Sequence, residues 1–381
     1  MNKDILHQIF TRYIERFDYI NDSAHEEYYK WQVCHEFPDL MKKALESDSN
    51  EFAKALYEVK KATYNIIDSY TQPFSGLVDL AKSEPESVRR ILIDLYAGDG
   101  GDLKIRMQKI SNFFEKYNEL LDKYYPDSFL YKQNSHSVSA LLFLNDPDNH
   151  YMYKATQSRR FADCVEFYDD WGSGDIIDLD IYHRMCDELV SEIKKNKELL
   201  DTDASRFDGR LKLPGGQLHL DTEKHILAFD IIYCCSVYDI FDGVSYTKRN
   251  AKEKQLYLEN KEKAQHLKAI HEKAKAEKDL LEEALMCFTN IISVGDKIHH
   301  IKYGEGIIES IDEKYIVADF KQKKAQISLP IGIANGLLKV DMKDYDGYVA
   351  KYQDVLKRHT SVRHNLENAA RSLKQYEDYL E

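Results

Sequence analysis

Proline is scarce in this chain, with 7 in 381 residues, and tryptophan scarcer, with 2. So little proline leaves no room for polyproline segments and favours helix joined by short connections. Cys-x-x-Cys pairs are absent. The cysteines stand scattered at Cys34, Cys164, Cys186, Cys234, Cys235 and Cys287, and none has a histidine at zinc-ligand spacing. That argues against a zinc site and for reduced, mostly buried thiols in a cytosolic protein. Also missing are a GxxxxGK[ST] phosphate loop, a GxSxG elbow, an HExxH helix and any local Cys/His signature, so no reaction and no cofactor is expected. The greasiest stretch, Ile226 to Val237, is too short to span a membrane and contains Asp230. The opening MNKDILHQIFTRYIERF reads as an amphipathic helix with no signal-peptide core. Positive charge is not in excess either. A formal charge of −13 disfavours wholesale adhesion to nucleic acid or anionic membrane, yet leaves room for a local basic face. The expected location is cytoplasmic.

What is present is apolar and aromatic residues enough to fold, 43% and 12% of the chain, with 27 tyrosines. At this length two or three domains are expected. Ile5, Ile9, Tyr13 and Phe17 fall four apart and predict one helical stripe, and Phe52, Leu56, Val59 and Tyr64 predict another. Pro38, Pro73 and Pro85 are read as connections. Helices are expected over Leu103–Leu121, Ile181–Leu200 and His225–Phe241, with a turn at Asp146-Pro147-Asp148 and a small hairpin or loop over Leu211–Leu220.

The composition shifts near residue 247 to Lys, Glu, Ala, Gln and Leu. Leu267, Ile270, Ala274, Leu281, Ala284 and Phe288 step by threes and fours as a heptad seam does, and Tyr352, Val355, His359, Val362, Leu366, Ala369, Leu373, Tyr376 and Leu380 repeat the pattern. Between them, Lys297–Ile301, Gly306–Ile311, Tyr315–Phe320 and Ala325–Leu329 alternate as short strands. The expected fold is mainly α (α+β). A multi-helical domain covers 1–246. Residues 247–292 and 343–381 form an antiparallel coiled-coil hairpin, with an SH3/Tudor-like β-barrel, 293–342, at its tip.

The run Val294-Gly295-Asp296-Lys297-Ile298-His299-His300, then Tyr303-Gly304-Glu305-Gly306 and Tyr315-Ile316-Val317-Ala318-Asp319-Phe320, resembles the small Tudor/SH3-like domain at the C-terminus of UvrD/PcrA-type helicases. The resemblance implies a contact module for proteins or nucleic acid. Nothing of the helicase motor accompanies it. Residues 90–240 are similar, at low identity, to helical domains that precede McrB-like AAA+ restriction GTPases. The shared features are Leu141-Leu142-Phe143-Leu144, Asp146-Pro147, Tyr151-Met152-Tyr153-Lys154 and Phe229-Asp230-Ile231-Ile232-Tyr233. That similarity implies a bacterial restriction or phage-defence setting, with any ATPase, GTPase or nuclease encoded separately.

Tyr151, Tyr153 and Lys154 with Arg159 and Arg160 form an aromatic-basic cluster of the kind that stacks bases and neutralises phosphate; equally, both rings can pack a core. Lys248, Arg249, Lys252 and Lys254 can track a phosphate backbone, or form a solvated face laced with the interleaved Glu residues. On the barrel, His299, His300, Tyr303 and Tyr315 are candidates for partner binding, although alternation turns Phe320 and one histidine inward, leaving few walls for an aromatic cage. A nuclease would need carboxylates gathered around a metal, and only Asp319 with Lys321, or Asp175, Asp178 and Asp180, can be strung together. The functional expectation is a non-enzymatic, nucleic-acid-linked accessory of a defence or restriction system, with DNA and a protein as partners. The alternatives are an adaptor whose barrel binds a polymerase or helicase machine, and an enzyme whose site has no recognisable signature.

Overall fold

The computed structural model describes every residue except Asn65, Ser69, 209–216, 290–291, 313–314, 322 and Glu381. The chain divides into two compact units, Met1–Gln255 and Leu256–Glu381. It is mainly helical, with one small antiparallel sheet in the second unit. Among the described residues, no helix is long and apolar enough to cross a membrane.

Among the described residues the regular elements of the first unit are all helices: α1 (Lys3–Glu15), α2 (Phe17–Ile20), α3 (Tyr29–Glu46), α4 (Ser49–Ala62), α5 (Pro73–Ser83), α6 (Pro85–Tyr96), α7 (Leu103–Tyr124), α8 (Ser135–Asn145), α9 (Ala155–Cys164), α10 (Leu179–Ile193), α11 (Lys197–Ala204) and α12 (His225–Val237). The four-residue stripe of the N-terminus is buried as its spacing predicts, and so are Phe52, Leu56 and Val59. Tyr64 departs from its stripe: α4 has ended, the residue takes φ +48°, and the ring is 57% exposed. Pro38 does not mark a connection but lies inside α3. It removes one intrahelical bond, while Phe37 and Met41, both buried, keep the helix packed through it. The predicted Ile181–Leu200 helix is two helices, because Asn196 accepts from the Leu199 N–H at 3.0 Å and caps a new start. The expected hairpin or loop at Leu211–Leu220 falls largely on 209–216, outside the described residues.

Helix α12 is apolar on nearly every face, and such a helix belongs in a core. It packs against α3, α9 and α10, and Asp221 anchors its first turn by accepting from the Ile226 and Leu227 N–H groups at 3.0 and 2.9 Å. Its one charge, Asp230, is wholly buried, and burial alone would raise its pKa. Lys30 and Arg206 beside it reverse that and hold the carboxyl below its usual range.

In the second unit, α13 (Ala251–Thr289, whose first residues belong to the first unit) and α15 (Tyr345–Lys374) flank the sheet. Phe288 meets Tyr348 and Tyr352 with ring centroids 5.3 Å apart in each case. Farther from the sheet, Glu282 lies 3.4 Å from His359, and Tyr257 and Asn260 reach Tyr379 beyond α15. Ala264, Ala274 and Leu281 are buried along α13, whereas Ile270, counted in the seam by its spacing, is 42% exposed. Leu267 and His271 are the half-buried neighbours in its place.

The strands are β1 (Lys297–His300), β2 (Gly304–Ile311), β3 (Tyr315–Phe320), β4 (Lys323–Ser328) and β5 (Leu338–Val340), with the short α14 (Leu329–Ala334) before the last. They pair antiparallel in the order β4-β3-β2-β1-β5. Alternate residues Ile298, Ile308, Ile316, Ala318, Phe320, Leu338 and Val340 turn inward and form one core with Ile333, Tyr348 and Tyr352. Gly306 is required where β2 crosses β3, since a Cβ there would stand 2.6 Å from the Phe320 ring.

Candidate nucleic-acid interface

Helix α9 buries Ser158, Phe161, Ala162 and Cys164 against the core, which turns Arg159, Arg160 and Asp163 outward. After α12 the chain runs along this face, with Phe241 and Tyr246 half-buried, to Lys248 and Arg249. There Asn250 and Glu253 form a reciprocal cap: Asn250 accepts from the Glu253 N–H at 3.1 Å and Glu253 accepts from the Asn250 N–H at 2.8 Å. This cap starts α13 beside α9 and brings Lys254 onto the same surface.

The result is a hollow of about 240 Å³ lined by Arg160, Asp163, Phe241, Tyr246, Lys248, Arg249 and Lys254. Arg249 donates to the Glu166 carboxylate and to the Tyr168 hydroxyl, the latter at 2.7 Å. Lys254 pairs with Asp163 at 2.5 Å. Arg160 stands over the Phe241 ring, 5.8 Å from its centroid. Among the described residues Arg160 and Lys248 form no ion pair, so the four cations outweigh the two carboxylates, Asp163 and Glu166. The α13 N-terminus adds the positive end of its dipole. Such a wall of cations and half-buried aromatics can hold a phosphate and pack against a sugar or base.

The structure thus unites Arg160 with Lys248 and Arg249, which the sequence presents as separate clusters, and leaves the others elsewhere. Tyr151 and Tyr153 are core residues, 7% and 2% exposed. The Tyr151 hydroxyl donates to Asp187 at 2.7 Å, and the Tyr153 hydroxyl accepts from the Trp171 indole at 3.2 Å. Neither ring is presented for stacking. Lys154 lies over the Tyr233 ring at 5.0 Å, and burial, with Lys30 adding to it, pushes its pKa down to about 8. Arg159 is tied to the Gly172 carbonyl and to Asp170 and covers Trp171. Lys252 is exposed in the first turn of α13. Sequence reasoning did not include Asp163, Phe241 and Tyr246. The usable signal was the pair of aromatics just ahead of Lys248-Arg249.

On the sheet, His299 is exposed and lines an open groove of about 620 Å³. His300 turns inward, stacks on Tyr303 at 4.6 Å and meets the edge of Phe320. These rings fill one another's faces and leave no cage. Tyr315 stands apart and 45% exposed.

Among the described residues no group of three or more His, Cys, Asp or Glu side chains is placed to hold a metal ion. Asp178 caps α10 by accepting from the Ile181 N–H, and Asp319 with Lys321 lies in the sheet groove. His150 and His183 border a small cavity together with Arg106. Burial pushes both imidazoles down to about 3, with Arg106 adding to the effect, so both are neutral. No known protein family, curated protein or solved structure matches the chain.

Proposed function

We propose that this protein is a nucleic-acid-binding accessory of a prokaryotic defence or restriction-type system, acting in the cytoplasm. In this reading the basic hollow holds the phosphate backbone and the sheet unit docks a protein partner. The observation that carries the reading is the convergence of Arg160, Lys248, Arg249 and Lys254 around Phe241 and Tyr246 on a chain whose formal charge is −13. In a net-negative chain, phosphate is held only where positive charge is locally concentrated. Residues 293–342 close as an SH3-like barrel at the tip of an antiparallel hairpin formed by 247–292 and 343–381. The hairpin is supported by the order of its cross-helix pairs: Phe288 with Tyr348, Glu282 with His359, and Tyr257 with Tyr379. The chemistry of the defence system belongs to separately encoded ATPase, GTPase or nuclease partners.

The groove around His299 favours a second reading, an adaptor whose sheet unit binds a polymerase or helicase machine. Fluorescence anisotropy with single- and double-stranded DNA and RNA over a salt series separates the two. Binding whose affinity falls linearly in log–log coordinates with salt supports the first. Absence of salt-dependent binding to any of them removes it and leaves the adaptor.

A further inference from the structure

The outer face of the sheet carries a row of charges that is complementary to its own reverse. The ladder register aligns Lys324, Asp319, Ile307 and Lys297 across β4, β3, β2 and β1. Asp341, whose N–H donates to the Lys297 carbonyl at 3.3 Å, continues the row past β5. All five side chains are exposed, and Ile307 at the centre is 51% exposed. Across the strands the row reads positive, negative, apolar, positive, negative. Lys324 pairs with Glu309 at 2.6 Å; among the described residues Lys297, Asp319 and Asp341 form no ion pair.

Turning this row about an axis that runs along β2 reverses its order. Each charge then meets its opposite: Lys297 faces Asp319, Lys324 faces Asp341, and Ile307 faces itself. We infer that a second copy of this chain docks here, face to face, with the two-fold axis along β2. A face of one sign would call for a partner of the other, whereas a balanced row with an apolar centre suits its own copy. Aligned sheets pack about 10 Å apart with strands within about 30°, a gap that a lysine and an aspartate reaching from opposite sides can close. Two features oppose the pairing: Glu305, opposite His299 of β1, and Glu309, the partner of Lys324, are both exposed on β2, and each therefore meets its own copy near the axis. Five strands spaced about 4.8 Å apart and about 20 Å long make a face of roughly 400 Å². That is small beside the about 800 Å² per partner of a stable dimer, so the association is weak and salt-sensitive. The inference does not depend on nucleic-acid binding.

Sedimentation velocity of the full chain, over a concentration series at low and high salt, tests it. The expected result is a monomer–dimer equilibrium that Lys297→Glu and Asp319→Lys each weaken by about tenfold, since every pair occurs twice. The exchange variant, Lys297→Asp with Asp319→Lys, regains dimerisation because its row is again self-complementary, and Glu305→Gln tightens it. Circular dichroism melts establish that each variant is folded. A monomer at every concentration overturns the inference. So does a dimer insensitive to both single variants, or a loss that the exchange does not restore.

Discussion

Lys30 of α3 and Asp230 of α12, 200 residues apart in the chain, form an ion pair in which 1% and 0% of the two side chains are exposed. Glu27 lies 2.7 Å from Lys30, and Arg206 links Asp230 to Asp203. Tyr13 donates its hydroxyl to Asp230. The network is closed by Lys224, 2.9 Å from Asp203. Removing one member strands the others in a medium that cannot solvate them. Asp230→Asn is expected to lower unfolding free energy by about 3–5 kcal/mol, measured by urea denaturation. A loss below about 1 kcal/mol would mean that the core admits water or relaxes around Lys30.

The stability of the first unit should fall in mild acid. Burial is the main cause of the depressed histidine pKa values: about 3 for His150 and His183, with Arg106 adding, and about 4 for His136, with Lys154 adding. The unfolded chain titrates these rings near 6.5. Below that pH the unfolded state takes up protons that the folded state refuses. The contribution is therefore complete above about pH 6.5 and is lost as pH falls towards the folded values, with a slope of up to about 1.4 kcal/mol per pH unit for each ring. Thermal melts between pH 7 and about pH 4 should show this decline, and His183→Asn should flatten it. A melting temperature level across that range would contradict the assignment.

Arg159 and Arg160 are neighbours in sequence with different work. Arg160→Glu combined with Lys248→Glu is expected to weaken DNA binding and to reduce the salt slope by about 1 for each phosphate that is no longer neutralised. Arg159→Ala removes bonds to Gly172 and Asp170, so it should lower the melting temperature modestly and leave DNA affinity in place. Equal effects of the two substitutions on binding would remove the hollow as the site.

The pairing of the long helices can be read by cross-linking. Glu282 and His359, 3.4 Å apart, are replaced by cysteine in a chain whose exposed Cys287 has been changed to serine. A short bifunctional thiol reagent should give an intrachain product that migrates as a monomer. Exclusively interchain products would mean that α13 and α15 pair between copies.

Crowding in the sheet gives a further test. Gly306→Ala places a methyl against Phe320, and overpacking of this kind costs about 1–3 kcal/mol. The loss should appear in the unfolding of the second unit, followed by hydrogen exchange of β1–β3 amides. Unchanged protection there would show that Phe320 has another rotamer to occupy.

Local periodicity carried much of the architecture into view. The stripe Ile5, Ile9, Tyr13, Phe17 is buried as read, and the alternation in 297–320 places Ile298, Ile316 and Phe320 inside, because a period of 3.6 or 2 states which face needs cover. Even so, the seam on α13 is one position off at Ile270, where an isoleucine suggests burial and the partner helix passes elsewhere. Tyr151 and Arg160 mark the limit more clearly. Both belong to one aromatic-basic run, yet Tyr151 is held in the core by Asp187 and His225, while Arg160 looks outward beside Lys248. No local pattern separates these fates. Whether a ring or a charge stays wet depends on which distant segment covers it, and on whether that segment brings a hydrogen-bond partner to offset the lost water. The sequence determined most of the helices, the strands β1–β4 and the stock of charge. Tertiary packing alone decided which aromatics are core, that Lys30 and Asp230 offset each other's burial, and that Arg160 meets Lys248 at one surface.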